Sequence, residues 1–345
     1  MIWVSYRQFR SQAIVTVTAL AAFAIVLAAT GPHLVDLYNS AGLNSCRTTC
    51  GSLASTYIDQ LRGTLSQYVF YAGIGVIFVA PVLMGTFWGA PLIAREFEAG
   101  TFRLAWNQSV TRARWTIAKL GLVGLAAMAT AGLLSLIVGW WASPVDQALS
   151  YSTQQSPLIP RLSPLMFAAR GVAPLGYAAF AFALGVTLGV LLRRTLAAMA
   201  ITLVLFAAVQ VLVPAFVRPN IIPPEHLTAP LHLSTAGITI QSGQGASTGK
   251  IIVTGNFQKS GAWILSNQAI TRSGQVLRVA PKQCPSNGSF QPCTNWLTSL
   301  HLRQIVTYQP ASRFWPLQWA ETAIYLALAG GLSWISIVLV RRRRS

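Results

Sequence analysis

Six stretches of this chain, 11–35, 63–94, 120–145, 171–192, 195–217 and 322–340, contain no Asp, Glu, Lys or Arg. A helix needs roughly 20 apolar residues to cross the hydrocarbon core of a bilayer, and each stretch can supply one. In lipid every backbone N–H and C=O must be satisfied within the protein, which favours helices. Charged residues make up only 9% of the 345 residues, and the mean hydropathy is +0.53. That is too little charge to solvate a soluble domain of this size. The expected fold is an all-α polytopic membrane protein with spans at 13–30, 69–93, 120–142, 172–192, 196–217 and 317–340.

A net charge of +18 raises the question of nucleic acid, but the distribution of the charges argues against it. Arg7, Arg10, Arg95, Arg103, Arg112, Arg114, Lys119, Arg193, Arg194 and Arg341 to Arg344 fall in alternate segments, on one side of a six-span topology. The short segments on the other side hold only Arg47, Arg62, Arg161 and Arg170. Lys/Arg bias over short loops sets orientation, so both termini are expected to be cytoplasmic in a plasma membrane. The 218–313 segment holds eight more basic residues, but long segments translocate largely regardless of charge. Arg341–Arg344 reads as an anchor to anionic membrane lipid.

All four cysteines fall on the outer side: Cys46 and Cys50 in the first outer loop, Cys284 and Cys293 in the last. That is the pattern of an oxidising compartment. Two local disulfides are the simplest pairing, with cross-loop pairs left open. His33, His226, His232 and His301 show no ligand spacing with the cysteines, so no metal site is expected.

Residues 1–12 read as an amphipathic helix on the inner leaflet, with Ile2, Trp3, Tyr6 and Phe9 on one face. A signal peptide cleaved near Ala28-Ala29 is the competing reading, and the apolar run is long for one. The first outer loop, about 33–66, is polar. Span two carries Gly73, Gly75, Pro81, Gly85, Gly89 and Pro91, small residues and helix breakers that allow close packing and a kink. Trp140-Trp141 suits an outer interface. Spans four and five are joined by a tight inner hairpin at Leu191–Thr195. The runs 237–240 and 250–254 are short and β-rich, so 218–313 is expected to form a small, mostly β outer domain between spans five and six.

The 94–119 segment is the best functional candidate. A short helix carrying Arg95, Glu96 and Glu98 would stop at Gly100, Thr101 would start the next turn, and Ser109 or Thr111 would cap the helix into span three. Glu96 and Glu98 are the only acidic residues on the inner face of the topology. Leaving a carboxylate unpaired in a dry site is costly. They are therefore expected to pair with Arg95, Arg103, Arg112 or Arg114, or with a partner protein. A solvated turn that only fixes topology is the alternative.

The run Gly89-Ala90-Pro91-Leu92-Ile93-Ala94-Arg95-Glu96-Phe97-Glu98-Ala99-Gly100-Thr101, followed by Trp106-Asn107-Gln108-Ser109-Val110-Thr111-Arg112, resembles permease subunits of ABC-2 type exporters, notably actinobacterial ones. Further pieces of the same resemblance are Ile2-Trp3 to Arg10, Ala183 to Thr195, and Tyr308 to Thr322. The resemblance implies a type V exporter-like membrane subunit that is not itself an enzyme. It implies a second permease half, expected to be an identical chain, and a separate cytoplasmic ATPase that uses ATP and Mg. It also implies that Arg95, Glu96, Glu98, Gly100, Thr101 and Arg112 form the loop that docks on that ATPase, with residues 1–12 as an interfacial elbow. No cofactor is expected on this chain. Gly243–Ile251 is a poor phosphate loop, because Gln244 and Ile251 stand where Gly and Ser/Thr are needed.

Glu321 is the one carboxylate in an otherwise apolar span, near its outer end. An outer gate or a contact with cationic cargo is one reading. Pairing with Arg313 or another outer basic residue is the other. The rival functions are an ion-coupled carrier, a membrane sensor and a membrane enzyme. Span centres without charge and the lack of an internal repeat weigh against the carrier. No catalytic grouping lies at membrane depth to support the enzyme.

Overall fold

The computed structural model describes residues 2–47, 50–100, 111–151, 161–231, 237–241, 249–255, 259, 261–277, 279–280 and 291–342; for residues 2–9, 112, 237–241, 249–252, 254 and 279–280 it describes the backbone only. Among them are six helical spans long and apolar enough to cross a membrane: Arg10–Ser40, Leu65–Glu98, Ala113–Trp141, Ala173–Leu192, Thr195–Ile221 and Ala311–Arg342. The chain divides into two compact units, Met1–Ile221 with Phe314–Ser345, and Ile222–Arg313.

In the first unit, α1 (Ile2–Ser40) runs without a break through the expected elbow and the first span. It also continues ten residues past the expected end at 30. The segment between spans one and two is not simply polar. It contains α2 (Gly51–Leu61), whose buried residues Ala54, Tyr57, Ile58 and Leu61 recur at the i, i+3, i+4, i+7 spacing of one helical face. A Cys46–Cys50 disulfide closes the turn into α2.

Span two is α3 (Leu65–Leu83), a π-helical turn at Met84–Gly89 and α4 (Ala90–Glu98). Pro81 lies just before the widened turn. A proline inside a helix lacks an N–H and collides with the preceding turn, and a π turn is one way to absorb that. The pattern recurs in span five. Between the two lie α5 (Arg112–Trp141), which is span three, and the short helices α6 (Ser143–Tyr151) and α7 (Pro164–Ala168). Helix α8 is Ala173–Leu192 and α9 is Thr195–Leu212. A second π turn, Val213–Val217 with Pro214 near its start, leads into α10 (Arg218–Ile221).

Helix α8 is the axis of the unit. Its most apolar window is 78% buried, against 6% for α1 and 17% for α9. Lipid tails offer no hydrophobic drive for helix association, so close approach through small residues matters. Gly85 and Gly89 on span two face Gly185 and Gly189 on α8, two small-xxx-small stripes set against each other. A Cβ on Gly89 would stand 2.5 Å from the Phe182 carbonyl oxygen, and one on Gly189 would stand 2.5 Å from that of Ala90. A Cβ on Gly185 would collide with the Gly85 carbonyl.

Trp140 and Trp141 part company. Trp140 is exposed, whereas Trp141 is buried and donates from Nε1 to the Thr30 hydroxyl at 3.0 Å. Of the two, only Trp140 offers its ring to the surface of the unit.

The second unit contains strands β1 (Glu225–Pro230), β2 (Gly237–Gln241), β3 (Gly249–Thr254), β4 (Trp263–Ile270), β5 (Val279–Ala280) and β6 (Arg303–Gln309), with helix α11 (Gln291–Ser299). One antiparallel sheet has the order β1-β6-β4 and another β2-β3-β5. Val253, Ala269, Cys293, Leu297 and Leu302 form its core. Cys293 is disulfide-bonded; Cys284, its expected partner, lies outside the described residues. Glu225 pairs with Arg313 at 3.3 Å and accepts from Tyr308 at 2.9 Å. Lys259 in turn donates to Tyr308, which holds its ammonium above the usual lysine range. Span six is α12 (Phe314–Arg342), in the first unit.

Candidate functional site

At one end of the bundle, α4 ends where it was expected to. Gly100 has φ +69°, the left-handed conformation that stops a helix and that glycine adopts without strain. Arg95, Glu98 and Gly100 are exposed and Glu96 is half-buried. Thr101 and Arg103 lie outside the described residues, as does the side chain of Arg112. Thr111 caps α5, its hydroxyl accepting from the Arg114 amide at 3.3 Å.

The partners of the two carboxylates differ from expectation. Glu96 pairs with Lys119 on α5, and Lys119 also lies 4.6 Å from the centroid of the Trp115 ring. Lys119 is almost wholly buried, and a buried ammonium is retained only when paired. Glu98 accepts from both the amide and the hydroxyl of Thr195, at 2.8 and 2.6 Å. Among the described residues neither carboxylate pairs with Arg95 or Arg114.

Thr195 is the first residue of α9, whose own N-cap, Arg194, makes no side-chain capping bond. The first amides of a helix have no internal partner, and its N-terminus carries partial positive charge. Glu98 therefore caps α9 from another span. The α8–α9 connection that places Thr195 there is only Arg193-Arg194. Arg193 sits in the left-handed region at φ 55° and ends α8. The α4 tip is thus tied by Glu96 to span three and by Glu98 to span five, while Phe97 packs against the buried cluster around Trp88, Ile93 and Trp115.

The opposite end of the bundle holds a second polar constellation. Glu321 is fully buried on α12. Arg218 donates to it twice, from Nε at 2.7 Å and from Nη2 at 2.9 Å, and Tyr177 donates at 2.6 Å. Arg218 Nη1 reaches the Pro164 carbonyl at 3.1 Å, and its guanidinium lies 4.3 Å from the Phe167 ring centroid. Bidentate geometry with all three guanidinium nitrogens hydrogen-bonded is the kind of arrangement in which a buried pair is tolerable. The partner of Glu321 is therefore Arg218, and Arg313 is taken by Glu225.

One turn earlier on α12, buried Gln318 accepts from the Val172 and Ala173 amides at 3.1 and 2.8 Å and donates to the Phe167 carbonyl at 2.7 Å. It caps α8 as Glu98 caps α9. Sequence reasoning missed Gln318, Lys119 and Thr195. The only available signal was that each is a polar residue at the edge of a charge-free window.

Among the described residues no group of His, Cys, Asp and Glu could hold a metal ion. No curated protein and no solved structure matches the chain. The family model described as ABC-2 membrane transporter related matches residues 17–218, which takes in five spans, the α4 tip and the trans-capped start of α9. By that match over more than half its length, the chain is a multi-pass membrane protein that belongs to the ABC-2 membrane transporter related family.

Proposed function

We propose that this chain is the membrane subunit of an ABC exporter, driven by ATP hydrolysed on a separate cytoplasmic subunit that docks on the α4 tip. The observation that carries the reading is the pair of ties made by Glu96 and Glu98. A push on the exposed Arg95–Gly100 turn would move span two and pull on spans three and five together. Coupling over such distances needs a rigid element with two arrangements, and a capped tip bonded to two neighbours supplies the rigid part. The chain itself is a non-catalytic subunit in this reading. In this reading both termini and the α4 tip face the cytoplasm of a bacterial cell, which the basic residues of the short loops support. The poorly buried spans α1 and α9 supply surface for a second permease half, an identical chain, as well as for lipid. The cargo is apolar or amphipathic, in keeping with span centres that lack charge.

The test is purification from native membranes in mild detergent, with mass spectrometry and an ATP-hydrolysis assay on what copurifies. A stoichiometric soluble ATPase, lost on Arg95→Glu while the chain stays folded, is the expected result. An intact, folded chain without any ATPase would move the reading to an ion-coupled carrier or a sensor.

A further inference from the structure

A cavity of about 590 Å³ opens at the end of the bundle that carries Trp140, lined by Trp140, Ser143, Asp146, Arg161, Arg170 and Trp315 among others. Its charges are two guanidiniums against one carboxylate, an excess of one positive charge. The two arginines are held in different ways. Arg170 is buried, with 2% of its side chain exposed, and pairs through Nε with Asp146 at 3.3 Å. Its Nη1 makes only a 3.4 Å contact to its neighbour's carbonyl, and its Nη2 is buried with no hydrogen-bond partner. A buried guanidinium with an unused N–H is an expensive arrangement, and an arriving anion would relieve it.

Arg161 is exposed and lies over two rings, 4.1 Å from the Phe314 centroid and 5.9 Å from that of Trp315. Stacking engages the face of a guanidinium and not its N–H edge, which is the part that grips phosphate or carboxylate. Although the residue is at the surface, partial desolvation of its guanidinium pulls Arg161 down from its ordinary range; Asp146 holds it up and the neighbouring Arg170 pulls it down further. The two cations therefore feel each other, and one carboxylate does not quiet both.

The rim of the cavity indicates what else the ligand carries. Leu136, Trp140 and Trp315 line it and are 70%, 64% and 49% exposed. They lie at the ends of membrane spans, where exposed apolar side chains meet acyl chains and tryptophan sits at the headgroup level. The mouth is thus apolar on the lipid side and cationic within. Ser143 lines the same space, while the hydroxyls of Ser135 and Ser150 there already donate to the Gly171 and Gln147 carbonyls.

The geometry points to a site for the phosphate headgroup of an anionic phospholipid, gripped by Arg161 and Arg170 with its acyl chains lying along Leu136 and Trp140. The site is separate from the α4 tip and does not depend on the exporter reading.

The experiment is thermal unfolding of the purified full-length chain in neutral detergent, with phosphatidylglycerol, phosphatidylcholine or inorganic phosphate added, and native mass spectrometry of the lipids retained. Phosphatidylglycerol should raise the melting point and stay bound, and phosphatidylcholine should do neither. Arg161→Gln, at an exposed position, should fold normally and weaken phosphatidylglycerol binding about tenfold, the loss of roughly one charge-assisted contact. Arg62→Gln, an exposed arginine elsewhere on the first unit, should leave binding unchanged. Equal shifts with both lipids, or equal losses in the two arginine variants, would overturn the site. A shift with inorganic phosphate alone that disappears in Arg161→Gln would overturn the lipid assignment in favour of a free anion.

Discussion

Two helices of this bundle, the central α8 and the peripheral α9, are capped from outside themselves, and the two caps are built of opposite material. Helix α8 has its first amides held by Gln318, a neutral side chain, wholly buried and satisfied on both its oxygen and its nitrogen. Helix α9 has its first amide held by Glu98, a charged and exposed side chain. The neutral cap lies one turn from the sealed Arg218–Glu321–Tyr177 group. The charged cap lies on a turn that anything in solution can touch. A buried network is strong because water cannot compete with it, and an exposed one is weaker for the reverse reason. The difference fits a molecule that is fixed at one end and movable at the other.

The sharpest way to break the comparison is at the sealed end. Arg218→Ala leaves the Glu321 carboxylate buried without its counter-charge, and should cost about 3–5 kcal/mol of stability. Thermal unfolding in detergent would show it as a large drop in melting point. The double change Arg218→Met with Glu321→Leu removes both charges and should recover most of the loss. A melting point for Arg218→Ala near that of the wild type would mean that water reaches the pair. Next in size is Gln318→Ala, which orphans two buried amides and should cost roughly 1–3 kcal/mol. Hydrogen exchange at the amides of 172 and 173 should quicken in that variant and not in Glu98→Ala. Gly185→Ala belongs to the same range, about 1–3 kcal/mol, because its new methyl would meet the Gly85 carbonyl rather than a movable side chain. The Cys46–Cys50 link closes a ring of few residues, so Cys46→Ser with Cys50→Ser should cost about 2 kcal/mol on the chain-entropy account.

What the sequence revealed and what it hid follow from range. The spans were legible because absence of charge over 19 or more residues is a local property, and all six expected spans fall on long helices. Gly100 and Thr111 were legible for the same reason, since caps are read within four residues. The partners were not. Glu98 and Thr195 are 97 residues apart and Arg218 and Glu321 are 103 apart, so nothing local says that they meet. For Glu96 the nearby arginines were the natural guess. Lys119 won because it emerges on the buried face of α5 beside Trp115, where a charge needs a partner more than an exposed arginine does. The different surroundings of Trp140 and Trp141 were not legible, because adjacent residues look alike in sequence while the helix turns the second ring into the core. The small residues of span two were recognised as packing sites. That their partner stripe is Gly185 and Gly189 required the fold.

The smallest expected change in stability is at the movable end, and there stability is the wrong quantity to read. Glu98→Gln removes the negative charge from the N-terminus of α9 and puts an NH2 group in place of one of the two oxygens, so the Thr195 amide and hydroxyl, now held by separate oxygens, would have to share one carbonyl or the hydroxyl would have to turn and accept. Because the group is exposed, water will replace what is lost and the melting point should hardly move. If the α4 tip transmits force to α9 through this cap, ATP hydrolysis by the complex should persist while transport per ATP falls. Exchanging the neighbouring pair, Glu96→Lys with Lys119→Glu, keeps the link to α5 and should leave transport per ATP closer to the wild type than Glu96→Lys alone, which sets two ammonium groups beside Trp115. Should Glu98→Gln instead lower hydrolysis and transport in proportion, the carboxylate acts on the docked subunit and not through α9. The end of the bundle that looks movable would then be a binding surface rather than a lever.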